Sequence, residues 1–292
     1  MESVSNGSGR SRSAGTALIA WLAMVPASDL SVIVYRARES GDPPHWLGLA
    51  NLAVLMGLLL LSLGVSSLRP LRGYVLALAA FQGGGLLADA LAPAPGSGDW
   101  IRGMIARAAL QLIPCAFMAL TLARSGLGRR DVFLAVGDMD APARMPGRMR
   151  GVSWRRVGPF LMLVLAAGLS VQLFLTVKPD PRMLGGALRV LPWALAFAAL
   201  NAAQEEFRFR AVFLARLTPR LGAAQALLIT SALFGLDHWF GHPSGPSGVL
   251  LAAFAGYLWG KSMIETRGSA WAWLVHAFQD VVIVVMIAAS RA

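Results

Sequence analysis

Apolar runs of membrane-spanning length recur along nearly the whole chain, and no other feature constrains its fold as tightly. About 20 predominantly apolar residues are needed for a helix to cross the hydrocarbon of a bilayer. Candidate runs lie at roughly 14–35, 46–66, 74–93, 104–123, 158–177, 187–207, 222–240, 248–264 and 270–289. Of the 292 residues, 14% are charged, against about 25% in a soluble domain. The expected fold is all-α: a polytopic transmembrane helical bundle of about eight or nine spans.

The ends and the middle punctuate this pattern. Residues 1–13 are mostly Ser, Gly and Arg and read as a disordered tail. Arg10, Arg12 and the run to Val25-Pro26-Ala27 also fit a cleaved signal peptide. A retained first span is preferred, because the apolar run continues through Leu30–Tyr35. Residues 124–157 are polar and hold eight arginines against Asp131, Asp138 and Asp140. By the excess of Arg this is a cytoplasmic basic loop. It separates an N-terminal four-span half, 14–123, from a C-terminal five-span half, 158–292. Counting outward from it places the N-terminus and Lys261–Arg267 inside and 241–248 outside.

The net charge of +11 is carried by arginine, with Lys178 and Lys261 the only lysines. The arginines sit between apolar runs, so they orient the chain in a membrane rather than bind nucleic acid. The Arg preference points to a GC-rich bacterial genome, and hence to a bacterial inner or plasma membrane. A single cysteine, Cys115, excludes an intrachain disulfide and a multi-thiolate metal site. It reads as a small buried apolar residue.

Charged groups inside apolar helices cost about 2.5–3.5 kcal/mol each on insertion scales, and they mark function by default. Three clusters qualify, all in the C-terminal half. In Gln204-Glu205-Glu206-Phe207-Arg208-Phe209-Arg210, Glu206 and Arg210 are four apart and form a structural ion pair. Glu205 is turned about 100° away, lacks that partner and is free to do chemistry. The bland alternative is a helix end of mixed charge. Phe234 to His238 ends the next span, where a lone His is more often a satisfied helix-end residue. His242 lies four residues on, but Gly241 and Pro243 argue against a metal-binding pair. His276 and Asp280 share a face inside the last run, as a structural His–Asp pair would.

Glu205 precedes Pro219 by 14 residues and His238 follows it by 19. A turn at Thr218-Pro219-Arg220 would put them roughly 21 and 28 Å along antiparallel helices at about 1.5 Å per residue. His276 lies close to the Lys261–Arg267 loop. The three are expected to meet around a cavity opening toward the cytoplasmic side.

At these clusters the chain resembles the CAAX-protease and bacteriocin-processing (CPBP) family, which includes the type II CAAX prenyl endopeptidases. The family signatures Glu-Glu-x-x-x-Arg, Phe-x-x-x-His and His-x-x-x-Asn/Asp appear in order as Glu205–Arg210, Phe234–His238 and His276–Asp280. The resemblance covers roughly residues 187–290. A softer likeness lies at Arg130–Asp138. The resemblance implies peptide-bond hydrolysis in the membrane without a cofactor. Glu205 would be the base that activates water, and His238 would hold that water. His276 and the residue at 280 would address the oxyanion. Glu206, Arg210 and Phe234 would support them.

Prenyl-protein members carry Asn at the last position, and an ionised Asp280 would repel an oxyanion. Asp280 is therefore expected to orient His276, and a prenylated substrate is less favoured. The expected partners are the bilayer and a membrane-associated peptide or protein, not nucleic acid. Three alternatives stay open. Glu205, His238 and His276 match a divalent-metal set such as catalytic zinc. A non-catalytic partner-binding or bacteriocin-immunity protein would keep the same motifs. A proton-relaying transporter would call for internal repeats, and none is visible.

Overall fold

The computed structural model describes residues 5–39, 41–92 and 99–291. Helices α1 (Ser5–Met24) and α2 (Leu30–Arg38) are bent by 56° at the intervening break. They are followed by α3 (His45–Gly64), α4 (Arg72–Leu91), α5 (Trp100–Leu110) and α6 (Leu112–Ala123). A hairpin of β1 (Pro142–Arg144) and β2 (Arg150–Ser153) leads into α7 (Trp154–Thr176). A short α8 (Leu184–Ala187) precedes α9 (Leu191–Glu206), a π-helical stretch at Phe207–Leu214, and α10 (Ala215–Leu236). Helices α11 (Gly245–Thr266) and α12 (Ala270–Arg291) complete the bundle. The tail expected over 1–13 falls partly on residues 1–4, outside the described residues, and partly on the first turns of α1.

Among the described residues, six helical segments are long and apolar enough to cross a membrane, or seven if the bent α1–α2 pair is one span. The count differs from nine for two reasons. The runs at 187–207 and 222–240 fall in one stretch, Gly185–Leu236, that is counted once although its backbone is broken at Gly222. The run at 248–264 forms α11, which is not among the six. The outer faces carry large apolar side chains, including Leu60, Leu163, Leu175 and Leu250, each more than 60% exposed. A surface so rich in exposed leucine is stable against lipid, not water. The chain is an integral membrane protein.

The break between the helices bearing Glu205 and His238 falls at Gly222, not at 218–220. Pro219 stays inside helical backbone, while Gly222 takes φ 78° and ψ 162°. That conformation is open to a residue without Cβ and strained for others. Small residues also set helix spacing, as is common where lipid supplies no hydrophobic drive between helices. A Cβ on Gly84 of α4 would collide with the Pro114 backbone of α6, and one on Gly158 of α7 would enter the Trp271 ring.

The basic loop is folded. Asp138 N donates to Thr266 O at 2.8 Å, Ser269 N to Ala135 O at 2.9 Å, and Trp154 Nε1 to Glu265 Oε2 at 2.9 Å. Lys261 pairs with Glu265 at 2.6 Å. Residues 124–157 therefore dock on the α11–α12 junction and form the basic end of the bundle.

Candidate active site

Glu205 and Glu206 close α9, and the next eight residues are π-helical. Such widened turns shift the side-chain register and occur often at functional sites. Here the shift leaves every residue from Arg208 to Leu214 buried. Phe209 and Phe213 join Phe81, Tyr74 and Phe234 in a chain of edge-to-face rings 5.0 to 6.0 Å apart. This aromatic plug fills the bundle between Glu205 and the basic end.

Glu206 is 3% exposed. Its Oε1 lies 3.2 Å from Arg210 NH1 and 2.8 Å from His276 Nδ1. One carboxylate oxygen thus serves two donors on two helices. The Arg210 guanidinium sits over the Phe234 ring at 4.1 Å. The His276 ring stacks on Trp259 with centroids 4.0 Å apart and planes 17° apart. With Nδ1 committed to Glu206, the other nitrogen, Nε2, faces Glu205 Oε2 at 3.4 Å and Asp280 Oδ2 at 3.8 Å.

Glu205 thus has two ionisable neighbours, one from another helix and one three residues on along its own. Besides His276, Arg208 NH2 lies 3.8 Å from its Oε1. Arg208 is fixed in turn by Gln111 Oε1 at 3.0 Å and by Gln204 O at 3.3 Å. The Glu205 Oε2 atom is buried and accepts no hydrogen bond from the protein. Buried polar atoms are ordinarily satisfied, and the nearest donor to this oxygen is His276 Nε2 at 3.4 Å.

His238 lies in the turn just past α10. Its Nδ1 is 2.7 Å from Phe234 O, and the two rings are 4.3 Å apart. The Phe234 carbonyl accepts a hydrogen bond from Nδ1–H, which fixes the imidazole and leaves Nε2 available. His242 follows in a turn and does not line the cavity described below.

Asp280 sits differently from expectation. Its Oδ2 accepts from Asn201 Nδ2 at 3.1 Å, and Asn201 Oδ1 accepts from Gln204 Nε2 at 2.8 Å. Glu206, not Asp280, makes the hydrogen bond to the His276 ring. Sequence reading passed over Asn201, Gln204 and Arg208. Their signal was present: Asn201, Glu205 and Arg208 recur at i, i+4 and i+7, one polar stripe on an otherwise apolar helix. Gln111 and Trp259 carry no such signal. Cys115 is buried, and its thiol donates to Gln204 O at 3.6 Å.

Glu205, Arg208, Asn201, Gln204, Asp237 and His238 share one cavity of about 740 Å³. That is within the usual range for ligand sites, roughly 300–1,000 Å³. The cavity does not open toward the basic end. It runs past the last turns of α4 (Gly85, Asp89) and the first turns of α5 (Met104, Arg107) to Pro43, Pro44 and His45 before α3. All of these belong to the end remote from residues 124–157. The expectation of an opening on the basic side rested on the depths of three residues alone. It could not register the aromatic plug or the α3–α5 walls. Among the described residues, no group of three or more His, Cys, Asp or Glu side chains is disposed to hold a metal ion.

Residues 187–282 match the family described as type II CAAX prenyl endopeptidase Rce1-like. This segment is similar to that family. It contains all three motifs, from Glu205 to Asp280, and stops short of the α12 C-terminus. Helices α3 to α5 lie outside it, yet they wall the cavity that reaches its glutamate. No match was found among curated proteins or among solved structures.

Proposed function

We propose that this protein is an intramembrane endopeptidase that hydrolyses a peptide bond of a membrane-associated substrate with water activated by Glu205. One observation carries the reading. The Glu205 carboxylate, with an oxygen lacking any protein donor, lines the same interior cavity as His238 and lies 3.4 Å from His276 Nε2. The Rce1-like match supports the reaction class.

In this scheme a water molecule bound between Glu205 and His238 Nε2 loses a proton to Glu205 as its oxygen attacks the scissile carbonyl. The C–N bond breaks, and Glu205 returns the proton to the leaving amine. His276 stabilises the charge that develops on the carbonyl oxygen. Asp280, held by Asn201 and 3.8 Å from the imidazole, acts on His276 rather than on that oxygen. The carboxylate at 280 does not favour a prenylated substrate over another membrane peptide. The basic loop 124–157 faces the cytoplasm of a bacterial cell, by the positive-inside rule.

The test compares membrane peptides in cells carrying wild-type protein with those in cells carrying Glu205→Gln. Cleavage products present only with wild type support the proposal. Full biological function with the variant would assign the chain to a non-catalytic, partner-binding role. Loss of wild-type cleavage after chelation, restored by a divalent ion, would replace the metal-free scheme with a metal-dependent one.

A further inference from the structure

We infer that substrate reaches Glu205 from the non-cytoplasmic face of the membrane, so the peptides cut here are exposed on that face. The inference rests on the peptidase reading and on the cytoplasmic placement of the basic loop. It adds the direction of access, which neither supplies.

The argument joins two independent observations. The first is the distribution of charge. Eight arginines lie within 124–157, and Lys261 and Arg267 flank the same end of the bundle. That end is tied together by hydrogen bonds from Asp138 N to Thr266 O and from Trp154 Nε1 to Glu265. An excess of Lys and Arg in a short loop marks the cytoplasmic side. The remote end carries fewer Lys and Arg, spread over several segments: Arg36 and Arg38, Arg102 and Arg107, Lys178, Arg182 and Arg189, and Arg291.

The second observation is the shape of the interior. Helix α6 runs into the basic loop and α7 leaves it, so the starts of α3 and α5 and the end of α4 lie at the opposite end. The cavity is lined by those ends: Pro44 and His45, Asp89, and Arg107. Its inner limit is Glu205 with Phe81 and Phe209. Past that limit Phe209, Phe213 and Tyr74 pack edge to face toward the basic end. Water and an extended peptide thus have a polar path from the remote end and an apolar barrier from the basic end. Asp29, Asp89 and Asp237 along the path give it polar walls, which hydrocarbon would not tolerate and water does.

Two single-cysteine reporters test this in full-length protein with Cys115→Ala. Gly85→Cys places a thiol in the cavity, where an added Cβ meets nothing within 4 Å. Arg148→Cys places one on the exposed hairpin connection. Each is treated with a small, charged methanethiosulfonate in right-side-out and in inside-out vesicles. The expected result is Gly85→Cys labelled at least tenfold faster in right-side-out vesicles and Arg148→Cys the reverse. Gly85→Cys labelled from the same side as Arg148→Cys overturns the direction of access. Labelling of both reporters from sides opposite to those expected overturns it too, by inverting the orientation on which it rests. A cavity reporter inert from both faces overturns it by showing no aqueous path. Peptidase activity is not the readout, so a failure here and a failure of the proposed chemistry remain separate.

Discussion

Glu206 and His276 are joined by a 2.8 Å hydrogen bond between α9 and α12, across 70 residues of sequence. The same Glu206 oxygen faces Arg210 at 3.2 Å. The adjacent glutamate, Glu205, instead faces the cavity and the other nitrogen of His276. Consecutive carboxylates thus grip and address one imidazole from its two sides.

This arrangement separates the two glutamates by experiment. Glu206→Gln leaves buried Arg210 without its countercharge, and removing one partner of a buried pair costs about 3–5 kcal/mol. Thermal unfolding in detergent should show a clear fall in Tm and a lower yield of folded protein. A Tm equal to wild type would remove Glu206 from its structural role.

Glu205→Gln should behave in the opposite way. The side chain keeps its shape, and Arg208 keeps its hydrogen bonds to Gln111 and the Gln204 carbonyl, so Tm should fall less than in Glu206→Gln. Peptide cleavage should fall by about 10²–10⁴-fold, the usual contribution of a general base. A variant that folds and cleaves at the wild-type rate would exclude Glu205 as the base.

Trp154→Phe should loosen the basic loop without touching the cavity. The substitution removes the indole N–H that donates to Glu265. Hydrogen bonds to charged groups are worth about 1.5–3 kcal/mol. Limited proteolysis should cut residues 124–157 faster in the variant, and unchanged cutting would contradict the docking of this loop on α11.

Gly84→Leu should force α4 and α6 apart. A Cβ at this position already meets the Pro114 backbone, and overpacking costs about 1–3 kcal/mol or more. Because α4 walls the cavity, cleavage and Tm should fall together. Gly85→Ala, whose Cβ meets nothing within 4 Å, is the matched control and should leave Tm unchanged.

Part of the site is legible in the sequence. The pairing of Glu206 with Arg210 follows from a spacing of four on a helix. Phe234 and His238 also sit four apart, and the carbonyl of one holds the ring of the other. Glu205 could not be placed this way. Arg208 lies three residues on along the same stripe, but the neighbour that matters, His276, depends on the packing of α12 and leaves no periodic trace. Asp280 shares a helix face with His276, yet Asn201 of α9 takes its oxygen. Proximity along one helix does not reveal a competing donor on another.

The sequence by itself determined that this is a helical membrane protein and which ionisable residues it holds inside. Both follow from local quantities: the length of apolar runs and the cost of charge within them. Tertiary structure alone decided where the helix breaks, which carboxylate grips His276 and toward which end the cavity opens. Those depend on how helices distant in sequence fill space. Gly222 relieves the backbone, Phe209 and Phe213 fill one end of the bundle, and α3 to α5 leave the other end open.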